Sequence, residues 1–161
     1  MANGDIFLRL RSAKGGMVKG ESSDHSHKQD IELRSIAWGM HGSTAMGTAG
    51  TANRATMDSL QFTKWVDASS TALMGVLRSN DVVTEATITV RKAGGAAALD
   101  YFQIKIKNGR VTSYDLQTDP DHQDHLIESY ALSFTSIEVQ YKAQDSQGGS
   151  GGAYMFQADS A

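Results

Sequence analysis

The sequence contains no cysteine, a single proline and no long apolar run. The absence of cysteine excludes disulfide frameworks, thiolate nucleophiles, zinc–thiolate fingers and iron–sulfur clusters. No run approaches the roughly 18 apolar residues of a membrane-spanning helix, so we predict no membrane insertion. The first ten residues place Asp5 and Arg9 among their apolar positions and therefore form no signal-peptide core. We expect a soluble chain that is made in the cytoplasm.

Positive charge is also scarce. Fifteen Lys and Arg residues stand against eighteen Asp and Glu residues, which gives a net charge of −3 over 161 residues. Proteins that neutralise phosphates are usually basic, so we expect no nucleic-acid partner. Hydrophobic residues make up 40% of the chain, which argues against disorder, and the length fits a single domain over residues 1–161.

Sixteen glycines separate short runs of alternating polarity, a pattern typical of an all-β domain. The predicted strands cover residues 5–10, 31–41, 57–64, 84–92, 100–107, 110–117, 127–142 and 153–157. Leu60 and Phe62 are predicted to point inward. The Asn108-Gly109 pair predicts a type I′ hairpin turn. A helix is predicted over Ser69–Ser79, because N-cap residues precede apolar residues at helical spacing.

Two predicted strands change the parity of their apolar residues. Ile31 and Leu33 share one face, whereas Ile36, Trp38 and Met40 share the opposite parity, which we assign to the core. In the strand over 127–142 the apolar residues change parity in the same way, between Phe134 and Ile137. Such a change predicts a β-bulge or a strand that turns a barrel corner.

The pattern as a whole predicts a mainly β fold. We expect a small β-barrel of two packed sheets with one flanking α-helix. Residues 41–56 are rich in Gly, Ala and Thr, have no core pattern and are predicted to form an extended loop. Residues 147–161 are predicted to form a glycine-rich tail with a terminal strand.

Candidate chemistry is confined to histidines in two polar stretches. His25 and His27 lie two residues apart, and His122 and His125 lie three apart in an Asp-rich loop. Imidazoles beside carboxylates suit divalent metals, so a metal-dependent hydrolase that uses His122 and His125 is the enzyme-class alternative. The sequence has no HExxH frame and no P-loop, and none of its serines lies in a GxSxG elbow between a strand and a helix. We therefore predict no enzymatic activity, no cofactor and no metal site.

Seven segments follow one known pattern in the right order. They are residues 18–24 with His27, 31–39, 60–67, 72–74, 85–95, 101–106 and 128–141. The run Glu-Ala-Thr-Ile-Thr-Val-Arg-Lys-Ala-Gly-Gly of residues 85–95 is the most specific. Through these segments, over residues 5–157, the chain resembles the haemolysin-coregulated protein (Hcp) family, the tube subunit of the type VI secretion system.

The resemblance implies a structural subunit of a hollow tube. Its implied assembly is a homohexameric ring that stacks on other rings beneath a VgrG-type spike and inside a contractile sheath. It also implies secretion through the type VI system without a signal peptide, with small effector proteins held in the ring lumen. A phage tail-tube-like structural protein has the same kind of barrel subunit and ring assembly, and it is the alternative among structural proteins.

Two sets of residues are candidates for contacts in such a ring. The small residues Ser35, Ala37 and Gly39 alternate with the predicted core residues of their strand and are candidates for effector binding in the lumen. The 41–56 loop suits a segment that orders against a neighbouring subunit. Its interface candidates are Gly42, Ser43, Thr44, Met46, Thr48, Thr51 and Asn53.

Overall fold

The computed structural model describes residues 6–42, 55–92, 99–144 and 150–159. Within these ranges the strands are β1 (Ile6–Ser12), β2 (Gly16–Val18), β3 (Ile31–Glu32), β4 (Ser35–Ala37), β5 (Met40–His41), β6 (Thr56–Met57), β7 (Leu60–Trp65), β8 (Val83–Lys92), β9 (Leu99–Thr118), β10 (Leu126–Ser133), β11 (Ser136–Gln144) and β12 (Ser150–Asp159). The helix α1 (Ser70–Arg78) lies between β7 and β8. No helix in these ranges has the length and apolar character that crossing a membrane requires.

The strands form two packed sheets that share the long strand β9. The first sheet has the order β12-β11-β9-β8-β1, and the short strands β2 and β3 both pair with β1. The second sheet has the order β9-β10-β7-β4. Strands β5 and β6 form a separate hairpin. The predicted mainly β class, with two sheets and one helix, is confirmed.

Strand β9 passes from the first sheet to the second at Asn108 and Gly109. Asn108 adopts a positive φ of 53°, and a Cβ at Gly109 would collide with the carbonyl oxygen of Ser133. The predicted hairpin turn at this pair is therefore wrong. The left-handed residue bends one continuous strand instead of reversing the chain, because β10 and β11 pair with β9 on both sides of the bend.

The two predicted parity changes fall at further passages between the sheets. β3 belongs to the first sheet and β4 to the second, and the break between β10 and β11 marks the same change. The continuous strands predicted over 31–41 and 127–142 are thus each broken. Met40 is 47% exposed, so its assignment to the core is wrong. A closed barrel would need one continuous strand to join β1 to β7. Instead, the two-residue strand β3 pairs with β1 and the three-residue strand β4 pairs with β7, so the described strands do not close into the predicted barrel.

The core lies between the two sheets and beneath α1. Leu60 and Phe62 are buried as predicted, and the Phe62 ring stacks on Tyr130 at a centroid distance of 5.0 Å. Leu73 and Val76 are the apolar residues that α1 buries in it. The helix begins and ends within one residue of its predicted bounds, since its apolar residues recur at helical spacing.

Two charged side chains are also fully buried in this core. Lys64 on β7 and Glu128 on β10 are 0% exposed, and Lys64 Nζ lies 2.7 Å from Glu128 Oε1. The same Nζ lies 3.0 Å from the Asp67 carboxylate and donates a hydrogen bond to Ser70 Oγ. Because Asp67 precedes α1 and Ser70 begins it, these contacts hold the start of the helix against the second sheet.

Three hydroxyls complete the shell of the Glu128 carboxylate. Ser70 Oγ donates to Oε1, while the hydroxyls of Tyr114 and Tyr130 donate to Oε2. Burial and this carboxylate raise the pKa of Tyr114 to about 12, and they raise the pKa of Tyr130 as well. Both phenols therefore remain donors at neutral pH, and both oxygens of the Glu128 carboxylate have hydrogen-bond partners.

Candidate functional site

The second sheet turns a face of small and polar side chains away from the core. Along each of its strands these residues alternate with residues that pack into or against the core, as Ile36, Phe62 and Tyr130 illustrate. We call this surface the small-residue face. Its members are Ser35, Ala37, Gln61, Thr63, Ser113, Asp115, Ser129 and Ala131.

The strand register aligns the small-residue face in two rows. One row consists of Ser35, Thr63, Ser129 and Asp115, and the other of Ala37, Gln61, Ala131 and Ser113. The hydroxyls of Ser35 and Thr63 lie 2.6 Å apart across the first row. Within these two rows Gln61 is the longest side chain and Asp115 the only charge, and the next row on the same side of the sheet holds Trp65, Ile127 and Gln117.

The structure separates the three predicted lumen residues. Ser35 and Ala37 lie on the small-residue face, next to each other in the two rows. Gly39 lies beyond the end of β4, where its carbonyl accepts a hydrogen bond from the backbone N–H of Asp58. The members on β7, β9 and β10 were missed from sequence, although their parity, opposite to that of buried neighbours such as Phe62, was a usable signal.

Most of the predicted interface loop lies outside the described residues. Of its candidates, Gly42 is described and exposed, whereas Ser43, Thr44, Met46, Thr48, Thr51 and Asn53 are not in the described ranges. The two ends of the segment meet in the β5–β6 hairpin, in which His41 pairs with Thr56. Trp38 Nε1 donates to the carbonyl of Asp58 at 3.0 Å, which braces the base of this hairpin.

Two strand edges without a pairing partner in the described ranges flank the small-residue face. β4 pairs with β7 alone, and residues 110–118 of β9 pair with β10 alone. An exposed edge presents backbone N–H and C=O groups that can pair with another chain. The face is therefore bounded on both sides by groups suited to edge-to-edge association.

Comparison with known proteins places this geometry in one family. The family described as "Type VI secretion system effector, Hcp" matches residues 7–141. Protein hcp1 of Pseudomonas aeruginosa is 34% identical over 152 residues, which cover 92% of this chain and 89% of that protein. The chain belongs to the Hcp family. It is thus a component of the type VI secretion system, as its sequence resemblance implied.

Solved structures of other Hcp proteins have the same fold. Hcp1 of Salmonella typhimurium aligns over 96% of this chain and 94% of its own, with a TM-score of 0.73 at 24% identity. A variant of Hcp1 from Escherichia coli EAEC 042 aligns over 96% and 97% with a TM-score of 0.78 at 18% identity. At these identities the likeness concerns the fold alone.

In this Hcp chain the His122 and His125 loop packs around an indole. The His125 ring stacks on Trp65 at 3.9 Å, and the Arg34 guanidinium lies 4.2 Å from the same ring. Trp65 Nε1 donates to Asp119, and this hydrogen bond lowers the pKa of that carboxyl. Across the described part of the chain, no three His, Asp or Glu side chains are placed to share a metal ion. The contacts of this loop are those of a packed turn.

The other histidine pair is split between surface and interior. His25 is exposed. His27, which lies in the same loop of residues 19–30, is buried, and its ring stacks on Phe7 at 4.2 Å. Its Nδ1 lies 3.0 Å from Asp30, and its Nε2 lies 3.2 Å from Asp100. These contacts tie the 19–30 loop to the sheet, so His27 has a structural place in the Hcp fold.

An ion pair between this loop and strand β8 predicts that the protein loses stability in acid. Arg91 Nη2 lies 2.6 Å from Asp24 Oδ2, and the Arg91 hydrogen bond lowers the pKa of Asp24 to about 2. Because the folded pKa lies below the unfolded value near 4, the pair stabilises the fold above pH 4, and this contribution disappears as the pH falls toward 2. We expect Asp24→Asn to cost about 1 kcal/mol at pH 6.

Urea unfolding of the wild type and of Asp24→Asn between pH 2 and 6 measures this effect. The two unfolding free energies should converge toward pH 2, because the wild-type carboxyl is then protonated. A constant difference between the two proteins across this pH range would contradict the assignment to Asp24.

Proposed function

We propose that the chain is the structural subunit of the type VI inner tube, which forms hexameric rings, stacks them and carries small effector proteins in the lumen. The observation that carries the proposal is the position of the small-residue face between two strand edges that have no pairing partner among the described residues. In a head-to-tail ring, β4 of one copy meets the β9 edge of the next, and such contacts propagate until the ring closes. The small-residue face of every copy then lines the inside.

The composition of the small-residue face supports a lumen. Small side chains leave room inside a ring, and a flat surface of hydroxyls, one amide and one carboxylate can form hydrogen bonds with varied cargo. Large apolar side chains, which would bind one partner strongly, are lacking within these two rows, and Trp65 and Ile127 stand only in the next row of the sheet. Ser35 and Ala37 remain our candidates for effector contact, with Gly39 beside them at the end of β4.

Family membership supports the remaining partners. We propose that the ring stacks lie beneath a VgrG-type spike and inside a contractile sheath, in the cytoplasm before firing. The subunit is then secreted through the type VI system without a signal peptide. In this proposal its role is structural rather than enzymatic.

Native mass spectrometry of the purified chain tests the ring. We expect a homohexamer in mild salt at tens of micromolar protein, together with ring-shaped particles in negative stain. A species that stays monomeric at these concentrations would overturn the tube assignment.

Deleting Ser43–Asn53 tests the role of the extended loop. After the deletion, three residues join His41 to Thr56, and a three-residue connection suits a hairpin whose ends are already paired. We expect the fold to be retained, with a Tm within a few degrees of wild type. The loop's contacts with a neighbour would be lost, so ring formation or stacking should weaken.

Circular dichroism, native mass spectrometry and negative-stain imaging of the deletion variant measure these outcomes. An unchanged hexamer that stacks as the wild type does would mean that the loop takes no part in assembly. The interface candidates from Ser43 to Asn53 would then be wrong.

A further inference from the structure

The far edge of the first sheet carries a group of exposed, largely apolar side chains. Tyr154, Met155 and Phe156 on β12 are 67%, 54% and 42% exposed, and Tyr141 on β11 is 44% exposed. The Tyr141 and Tyr154 rings stack at 6.2 Å. We call these four residues the aromatic edge. Because β12 pairs only with β11 in the described ranges, its outer backbone is also free to pair.

The opposite end of the same sheet carries a groove. It lies between the β1–β2 hairpin and α1 and has a volume of about 560 Å³. Its apolar lining consists of Met17, Val18, Ala68, Ala72, Gly75 and Val76. We call it the helix groove. The helix side is open, since a Cβ at Gly75 would meet no atom within 4 Å.

We propose that the aromatic edge of one copy docks into the helix groove of the next copy in the ring. The proposal rests on the hexameric ring proposed above and adds a second contact to the one between β4 and β9. A surface and its complement at opposite ends of one sheet make a head-to-tail contact, the kind that closes into rings.

The aromatic edge and the helix groove lie at opposite ends of the first sheet, which ends at β12 on one side and at β2 on the other. The second sheet ends at β4 and at residues 110–118 of β9, the strand against which α1 also packs. β4 follows β3 by two residues and β3 pairs with β1, so β4 lies near the groove end of the first sheet.

Size and charge favour this occupant. Tyr154 and Phe156 point to the same side of β12, about 7 Å apart, and each aromatic side chain buries roughly 150–250 Å² when covered. The small helix residues Ala68, Ala72 and Gly75 leave space for such rings. Lys14, Lys19 and Asp81 also line the groove, and their net positive charge is opposite to that of Asp159 at the end of β12.

Cysteine cross-linking tests the contact directly, because the natural chain has no cysteine and therefore no background. The variant Tyr154→Cys/Gly75→Cys is oxidised and run on a denaturing gel without reductant. We expect a ladder of covalent species up to the hexamer that collapses on reduction. The control Ser113→Cys/Gly75→Cys places one thiol on the small-residue face and should give no ladder.

A bulky side chain in the groove provides a second readout. Gly75→Trp should fill the open space, keep the fold by circular dichroism and lose the hexamer in native mass spectrometry. Thr71→Trp, on an exposed helix position outside the groove, is the matched control and should keep the hexamer.

The outcomes separate this contact from the ring itself. A wild-type hexamer with no ladder, and with Gly75→Trp still hexameric, would overturn the docking of the aromatic edge and leave the ring proposal standing. The edge would then be open to a different protein. A wild type that is monomeric would overturn both proposals.

Discussion

Replacing Lys64 with methionine is expected to lower the free energy of unfolding by about 3–5 kcal/mol, because it leaves a buried carboxylate without its cation. Lys64 Nζ lies 2.7 Å from Glu128, and neither side chain is exposed. The hydroxyls that remain around Glu128 can still donate hydrogen bonds, but they cannot neutralise its charge. The start of α1 also loses its tie to β7, since Ser70 and Asp67 contact the same ammonium group.

Two further variants make this result specific. The double variant Lys64→Met/Glu128→Leu removes both charges and should recover most of the loss, because an apolar pair does not carry the cost of desolvating ions. Lys107→Met removes an exposed lysine and should change the unfolding free energy by less than about 0.5 kcal/mol. Urea unfolding at pH 7 measures all three. A Lys64→Met protein within about 1 kcal/mol of wild type would refute a stabilising role for the pair.

The alternation of each strand could predict that Lys64 and Glu128 face the core, but not that they contact each other. Lys64 has the parity of Leu60 and Phe62, and Glu128 has the parity of Tyr130, so alternation alone places both charges on the core side. The usual preference of Lys and Glu for the surface hid this signal. Their mutual contact depends on the register between β7 and β10, which joins residues 64 apart in the chain.

The limits of local signals are clearest at Asn108 and Gly109. The pair indicates a positive φ, and Asn108 has one, but the same backbone conformation serves a hairpin or a bend in a long strand. The pairing of β9 with β10 and β11 decides between them, and it is non-local. In contrast, the parity changes after Leu33 and Phe134 indicated corners correctly, because the side chains must switch faces where the chain changes sheet.

The small-residue face was predicted for one strand only. Ser35 and Ala37 were found because they alternate with apolar neighbours on β4. The other six members lie on three strands whose order and register come from tertiary pairing. The sequence therefore identified the first residue of each row, and the other six residues follow only from the strand register of the sheet.

Changing Ala37 to glutamine is expected to keep the hexamer and reduce retention of a small effector about tenfold, or about 1.4 kcal/mol of binding free energy. Ala37 is exposed at the end of a row with Gln61, Ala131 and Ser113, so a longer side chain has room in the folded subunit. In a ring, six added side chains would project into the lumen and displace the cargo from the backbone and hydroxyls around them.

Co-purification of the ring with a small effector that it retains, read by native mass spectrometry, measures assembly and retention in one sample. Thr71→Gln adds the same group at an exposed helix position and should leave both unchanged. Loss of the hexamer in Ala37→Gln would place this residue in a subunit interface, which fits its position on the free edge strand β4. An intact hexamer with unaltered retention would place Ala37 away from the cargo and would contradict its assignment to effector contact.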